Sequence, residues 1–178
     1  GEVTEGFVGV LPEPQLRELM AQLNLKSTLE IGLTQVYDAA VIGQMELAQT
    51  TLKALLDQYP DNRELQLEAA EFMIEAEQFD EAGSILKSIQ DHEKGYSQRA
   101  NALKATIQFK RASTQSSHGT ELDQQFQKAA ELVVQKDYQA ALEILLELVS
   151  RDRTYRDDGA RKAMLDVFNL LGNEHPLT

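Results

Sequence analysis

Apolar residues recur at helical spacing along most of this chain, and they recur in blocks. Leu29–Ile42, Leu65–Ile74 and Phe126–Val134 each carry them every three or four positions, the spacing of a helix with one buried face. After each block comes a shared string. It reads Gly43-x-Met45-x-x-Ala48-x-x-x-Leu52-x-x-Leu55, then Glu77-x-Phe79-x-x-Ala82-x-x-x-Leu86-x-x-Ile89, then Lys136-x-Tyr138-x-x-Ala141-x-x-x-Leu145-x-x-Leu148. The first two strings start 34 residues apart and the last two 59 apart, so an additional segment, about 97–121, separates the second and third units. Each string predicts a turn followed by a second helix. That helix presents alanine (Ala48, Ala82, Ala141) where its axis crosses the preceding one, because a larger side chain would push the pair apart. The residue just after the turn, Met45, Phe79 or Tyr138, is expected to fill the wedge between them. In the preceding helices Ala70 and Ala129 hold the matching small position, and Val36 departs from it.

Punctuation fits the same scheme. Pro60 closes the first unit, since proline ends a helix, whereas Lys94 and Arg153 stand at the corresponding places later. Ser97–Ala112 predicts one more helix, with Ala100, Leu103 and Ile107 inward and Lys and Arg outward, and Ser113–Gly119 an exposed loop. Asp157–Leu171 predicts a final amphipathic helix stopped by Gly172. A repeat array needs such a helix to cover its last apolar face.

A period of 34 residues with this string resembles the tetratricopeptide repeat (TPR) family. The resemblance covers about 29–96 and 122–155, with units at about 29–62, 63–96 and 122–155. The expected fold is all-α, a helical-repeat solenoid over 25–178 with the extra helix 97–112 and the capping helix 157–171. Nine or ten helices are expected, counting one in the N-terminal segment. The resemblance implies a scaffold whose concave groove, built from the first helices, holds a protein partner. The candidate contact residues are Gln35, Asp38, Gln66, Glu71, Gln124 and Gln127. One known mode is disfavoured. TPR clamps that grip the C-terminal carboxylate of Hsp70 and Hsp90 use Lys, Asn and Arg, and the matching positions here are Leu33, Tyr37, Glu68, Asp123 and Gln127, none of them basic.

Residues 1–24 do not follow the repeat. Gly1-Glu2-Val3, then Phe7-Val8-Gly9, then Gln15-Leu16-Arg17-Glu18-Leu19 after Pro12-Glu13-Pro14 read as a strand and a helix. They resemble the last strand and last helix of thioredoxin, with Arg17 in place of lysine. The chain, which begins with Gly1, is therefore expected to be a piece of a longer protein with a thioredoxin-like domain upstream. That order resembles the bacterial chaperedoxin family of thioredoxin–TPR proteins, as does the tail Arg151–Gly172. This resemblance implies a cytoplasmic holdase that shields unfolded clients and passes them to a chaperonin or Hsp70-type foldase. The alternative is a generic TPR adaptor for one folded partner or peptide. The helix Gln15–Leu23 is expected to dock on the first repeat through Leu16, Leu19, Met20 and Leu23. Residues 1–9 are expected to be disordered or to pair between two chains in a truncation-induced dimer.

Charge sharpens the picture. The chain carries a net −12, which argues against nucleic acid or an anionic membrane as partner. The charge is uneven: residues 29–96 hold 14 acids and 4 bases, and residues 97–121 hold 1 acid and 4 bases. The preferred reading is that this basic strip pairs with the acidic repeats inside the fold, ahead of a dedicated anion site. Glu68, Glu71 and Glu75 share one helix face, read as solvated before it is read as a binding stripe. There is no Cys, which excludes disulfides and thiolate metal sites within this chain. His92, His118 and His175 lie far apart in sequence, and Ser116-Ser117-His118 has no orienting acid nearby. No catalytic residue, metal site or cofactor is assigned.

Overall fold

The computed structural model describes residues 12–14, 27–90, 92–93, 95–114, 119–172 and 175–177. Its helices are α1 (Thr28–Val41), α2 (Met45–Gln58), α3 (Arg63–Glu75), α4 (Phe79–Leu86), α5 (Tyr96–Thr114), α6 (Glu121–Val134), α7 (Tyr138–Arg151) and α8 (Gly159–Leu171). Among the described residues there is no strand. The strand expected in residues 1–9, and the docking helix beyond Pro14, lie outside the described residues.

The chain divides into two compact units, residues 1–60 and 61–178. In the first, α1 packs on α2. In the second, α3–α4 and α6–α7 form hairpins, α5 packs on α3, α4 and α6, and α8 packs on α5 and α7. The three hairpins are the three sequence units. Ala48, Ala82 and Ala141 are all fully buried, as are Ala70 and Ala129. Val36 is buried too, and the close approach of α1 to α2 falls one turn earlier, at Gly32. A Cβ there would lie 2.6 Å from Leu55 Cδ2.

Each hairpin turns in the same way. Gly43, Glu77 and Lys136 have positive φ (79°, 59° and 65°). The amide of Gly43 donates to Ala40 O and that of Gln44 to Ala39 O. Glu77 and Gln78 repeat this onto Ile74 and Met73, and Lys136 and Asp137 onto Val133 and Leu132. This paired closure satisfies carbonyls that a helix end would otherwise leave open. The first letter of the string is thus the left-handed residue, and glycine takes that conformation without strain. Any other residue pays for its Cβ, on the order of 1 kcal/mol. Lys136→Gly is therefore expected to raise the stability of the second unit by about 0.5–1 kcal/mol in denaturant unfolding.

The helix starts are set by side chains. Ser27 and Glu30 form a reciprocal capping box on α1, as Thr120 and Asp123 do on α6. Asn62 accepts the Leu65 amide at 3.0 Å and Asp137 the Ala140 amide at 3.2 Å.

Three boundaries differ from the sequence reading. Helix α5 runs on to Thr114, so Ser113 and Thr114 are helical where a loop is expected, and residues 115–118 of that loop lie outside the described residues. The second helix of the middle unit is short. It stops at Leu86, so Ile89 is buried but lies in the turn beyond. Gly83 and Ser84, both weaker helix formers than alanine, sit in its middle. Beyond it the chain is held by polar contacts: Ser88 Oγ to Gln66 Oε1, the Gln90 amide to Glu93, and Arg63 Nε to Glu93. The last helix begins at Gly159 rather than Asp157, because Arg156, Asp157 and Asp158 all have positive φ (51°, 55° and 63°). Lys162 Nζ donates to Asp157 O at 2.6 Å and to its carboxylate at 2.8 Å, and Arg161 pairs with Asp158, which holds this unusual run in place.

Candidate protein-binding surfaces

The basic strip on α5 meets the acids of the preceding hairpin. Arg99 pairs with Glu64 and, at 3.3 Å, with Glu71; Lys110 reaches Glu75 at 3.4 Å; Arg111 pairs with Asp80. Three of its four bases are therefore used within the fold, and α5 lies along the face of α3 that carries these acids. Of the Glu68–Glu75 stripe, Glu71 and Glu75 are thus ion-paired. Glu68 is held above its ordinary carboxylate pKa, chiefly by partial burial and next by the Glu64 charge.

The six groove candidates fall in different surroundings. Gln35 and Asp38 are exposed on α1 in the first unit. In the second unit Gln124 is exposed, and Glu71 is exposed but bonded to Arg99. Gln66 is only 7% exposed and joins Arg63 to Ser88 through its Oε1. Gln127 is half-buried, and its amide donates to Ser113 O at 3.2 Å and Glu131 Oε1 at 3.1 Å. Gln66 therefore ties α3 to the turn after α4, and Gln127 ties α6 to the end of α5. Gln66 reads as a surface residue in the helical pattern, and only the packing of the turn after α4 shows otherwise.

A second polar assembly joins α6 to the turn before α8. Tyr155 is buried and its hydroxyl donates to Asp123 Oδ1 at 2.7 Å. The Thr120 amide and hydroxyl both donate to Asp123 Oδ2 at 2.9 Å. Arg156 Nη2 donates to Asp123 Oδ1 at 3.0 Å, and its guanidinium lies 4.9 Å from the Phe126 ring centroid and 5.4 Å from that of Tyr155. The Tyr155 hydrogen bond, reinforced by those from Thr120, holds the Asp123 carboxyl well below the usual carboxylate range. Burial, and then the bond to Asp123, push the Tyr155 hydroxyl above its usual value.

A carboxyl whose pKa is lower in the folded chain stabilises the fold above its unfolded pKa, about 4, and loses that contribution as pH falls toward the folded value. Asp123→Asn should melt below the parent at pH 7, and the gap should narrow as the pH falls below about 4. Melting curves across that range test it; a gap constant with pH would show that the ionised carboxylate is not what matters.

Apolar exposure concentrates elsewhere. Six of the large hydrophobic residues left exposed lie between residues 31 and 47: Ile31, Tyr37, Val41, Ile42, Met45 and Leu47. Val41 is 85% exposed, Ile42 68% and Met45 40%, and together they surround the Gly43 turn. Met45 therefore does not fill its wedge as fully as Phe79 and Tyr138, which are half-buried. Tyr37 and Val41, four residues apart, share a face of α1. The hairpin tip is an apolar knob on an otherwise acidic chain.

Among the described residues no three His, Asp or Glu side chains converge as a metal site, and no helix is long and apolar enough to cross a membrane. Hairpins of equal design, turned at equivalent residues and crossing at alanines, define a helical-repeat protein. Two family models, each described as tetratricopeptide repeat, match residues 43–107 and 100–178. The chain is a tetratricopeptide-repeat protein, and such repeats build surfaces for protein–protein interaction. A search of curated proteins found no match.

Proposed function

We propose that this chain is the protein-binding part of a thioredoxin–TPR co-chaperone, a bacterial cytoplasmic holdase module that engages unfolded clients or the foldase that receives them. The observation that carries this reading is the apolar knob at the α1–α2 turn, where Val41, Ile42 and Met45 stand in solvent. Exposed apolar surface of this kind marks an interaction site more often than an accident of packing. An unfolded chain presents apolar segments of varied sequence, and a Met- and Ile-bearing tip adapts to such segments without demanding one shape. The charge of −12 keeps a protein soluble while it carries an apolar client. The likeness of residues 1–24 to the end of a thioredoxin-like domain supports the parent architecture.

The test is light scattering from a chemically denatured client diluted into buffer with this chain. The expected result is delayed aggregation, lost in a Val41→Ser, Ile42→Ser, Met45→Ser triple variant whose circular dichroism is unchanged. If the parent chain does not delay aggregation, or the triple variant delays it equally, the client-binding reading fails. Capture of a single folded partner by both chains would then favour the adaptor reading.

A further inference from the structure

A groove of about 280 Å³ opens between α4 and α5 in the second unit. Its apolar lining is Phe79, Gly83 and Ile107, and Lys87, Lys104 and Arg111 border it, the last beside the Asp80 carboxylate that also lines the groove. We propose that this groove binds an acidic peptide segment, seating one apolar side chain over Gly83 and its flanking carboxylates on the lysines.

The first support is Gly83 itself. A Cβ at this position would meet nothing within 4 Å. The equivalent position carries Gln49 in the first hairpin and Leu142 in the third. Glycine inside a helix is less stable than alanine, and here the missing side chain lets no other part of the fold come closer. What it leaves is open space beside the apolar lining.

The second support is charge. The other bases of α5 pair with acids of α3 and α4, but neither Lys87 nor Lys104 has an ion-pair partner among the described residues. Arg111 lies with its guanidinium 5.8 Å from the Phe79 ring centroid and pairs with Asp80, whose side chain is almost fully exposed. Lys104, Ile107 and Arg111 follow one another at three and four residues, on one face of α5. Cations therefore border an apolar slot on a chain that is otherwise strongly acidic. The slot holds a side chain or two and is small for an ordinary metabolite. A phosphate or nucleic-acid backbone would gain nothing from its apolar lining, and the chain's net charge of −12 repels a polyanion at long range. An acidic peptide with an apolar anchor uses both the lining and the bordering cations, and it gains from the lysines at short range, where salt screens the wider field.

The experiment is fluorescence anisotropy with a labelled synthetic peptide, a central Leu-Phe pair flanked by Glu and Asp. Three controls carry Gln for the acids, Ser for the apolar pair, or a single-stranded oligonucleotide of equal charge. The expected result is saturable binding to the acidic apolar peptide alone, weakened as salt is raised. Lys87→Glu with Lys104→Glu should reduce affinity at least tenfold. Gly83→Leu should abolish binding while raising the melting temperature, since it fills empty space and removes a helical glycine. The Val41, Ile42 and Met45 serine variant should bind the peptide as the parent does, which separates this site from the client-binding tip. Absence of binding, equal binding of the Gln or Ser peptide, displacement by the oligonucleotide, or a Gly83→Leu chain that still binds would each overturn the proposal.

Discussion

Replacing Leu145 by alanine is expected to cost the second unit about 2–5 kcal/mol of stability. Leu145 is fully buried in α7, in the core that joins α5 to α8 and includes Phe109, Ala129, Ala141 and Val167. Truncation removes three carbons from that core. Its neighbours on three other helices are fixed by their own packing and close the gap only in part, so lost transfer energy and a residual cavity add together. Leu146→Ala, one residue along and 59% exposed, is the matched control and should change stability by no more than about 0.5 kcal/mol. Urea unfolding of both variants checks the pair. Equal losses would mean that the face of α7 is assigned wrongly.

The second large effect comes from adding volume rather than removing it. Ala82→Leu places three more carbons where α4 crosses α3, at a site with no exposure. Ala70 on α3 is equally buried, so neither helix has a side chain that can swing aside. The helices must separate, or the leucine must take a strained rotamer, at about 1–3 kcal/mol. Thermal melting tests this, and a variant that melts with the parent would remove Ala82 from the crossing. Gly83→Leu, next to it in the same helix, should do the opposite, which makes the pair a direct reading of which way α4 faces.

Such neighbouring contrasts explain what could be read from the chain. Ala82 and Leu145 were legible because their role repeats: three copies of one string each bury the same positions, and burial at helical spacing needs no knowledge of the rest of the fold. The pairing of α5 with the acidic hairpin was legible for a similar reason, since a local surplus of bases follows a local surplus of acids. Where a feature depends on residues far apart in sequence, the string is silent. Tyr155 and Asp123 are 32 residues apart, and neither stands out in its own segment. The left-handed run Arg156–Asp158 holds no glycine, so nothing in its composition marks it. It keeps Asp157 and Asp158 out of the helix that the apolar pattern predicts from residue 157. Gln66 looks like any exposed glutamine until Arg63 and Ser88 are placed beside it. The groove candidates follow from helix positions alone and do not include the exposed Gly43 tip, although adjacent Val41 and Ile42 at the end of an amphipathic helix mark it in the sequence. The α4–α5 groove was out of reach, because an open space is defined by two elements at once.

The ion pairs between α3 and α5 have a consequence beyond their small energy. A chain built from look-alike hairpins can assemble in the wrong order, with a later helix settling on an earlier seam. Here α6 is the obvious intruder, because it follows α5 directly and offers the same kind of alanine seam through Ala129. Yet α6 carries Glu121, Asp123 and Glu131 against the single base Lys128. Set against α3, it would bring carboxylates to Glu64, Glu71 and Glu75, whereas α5 brings Arg99 and Lys110. Exposed pairs of this kind add little to the depth of the native well. They raise the competing arrangements instead, so the charges act as an address that tells each helix which neighbour is its own.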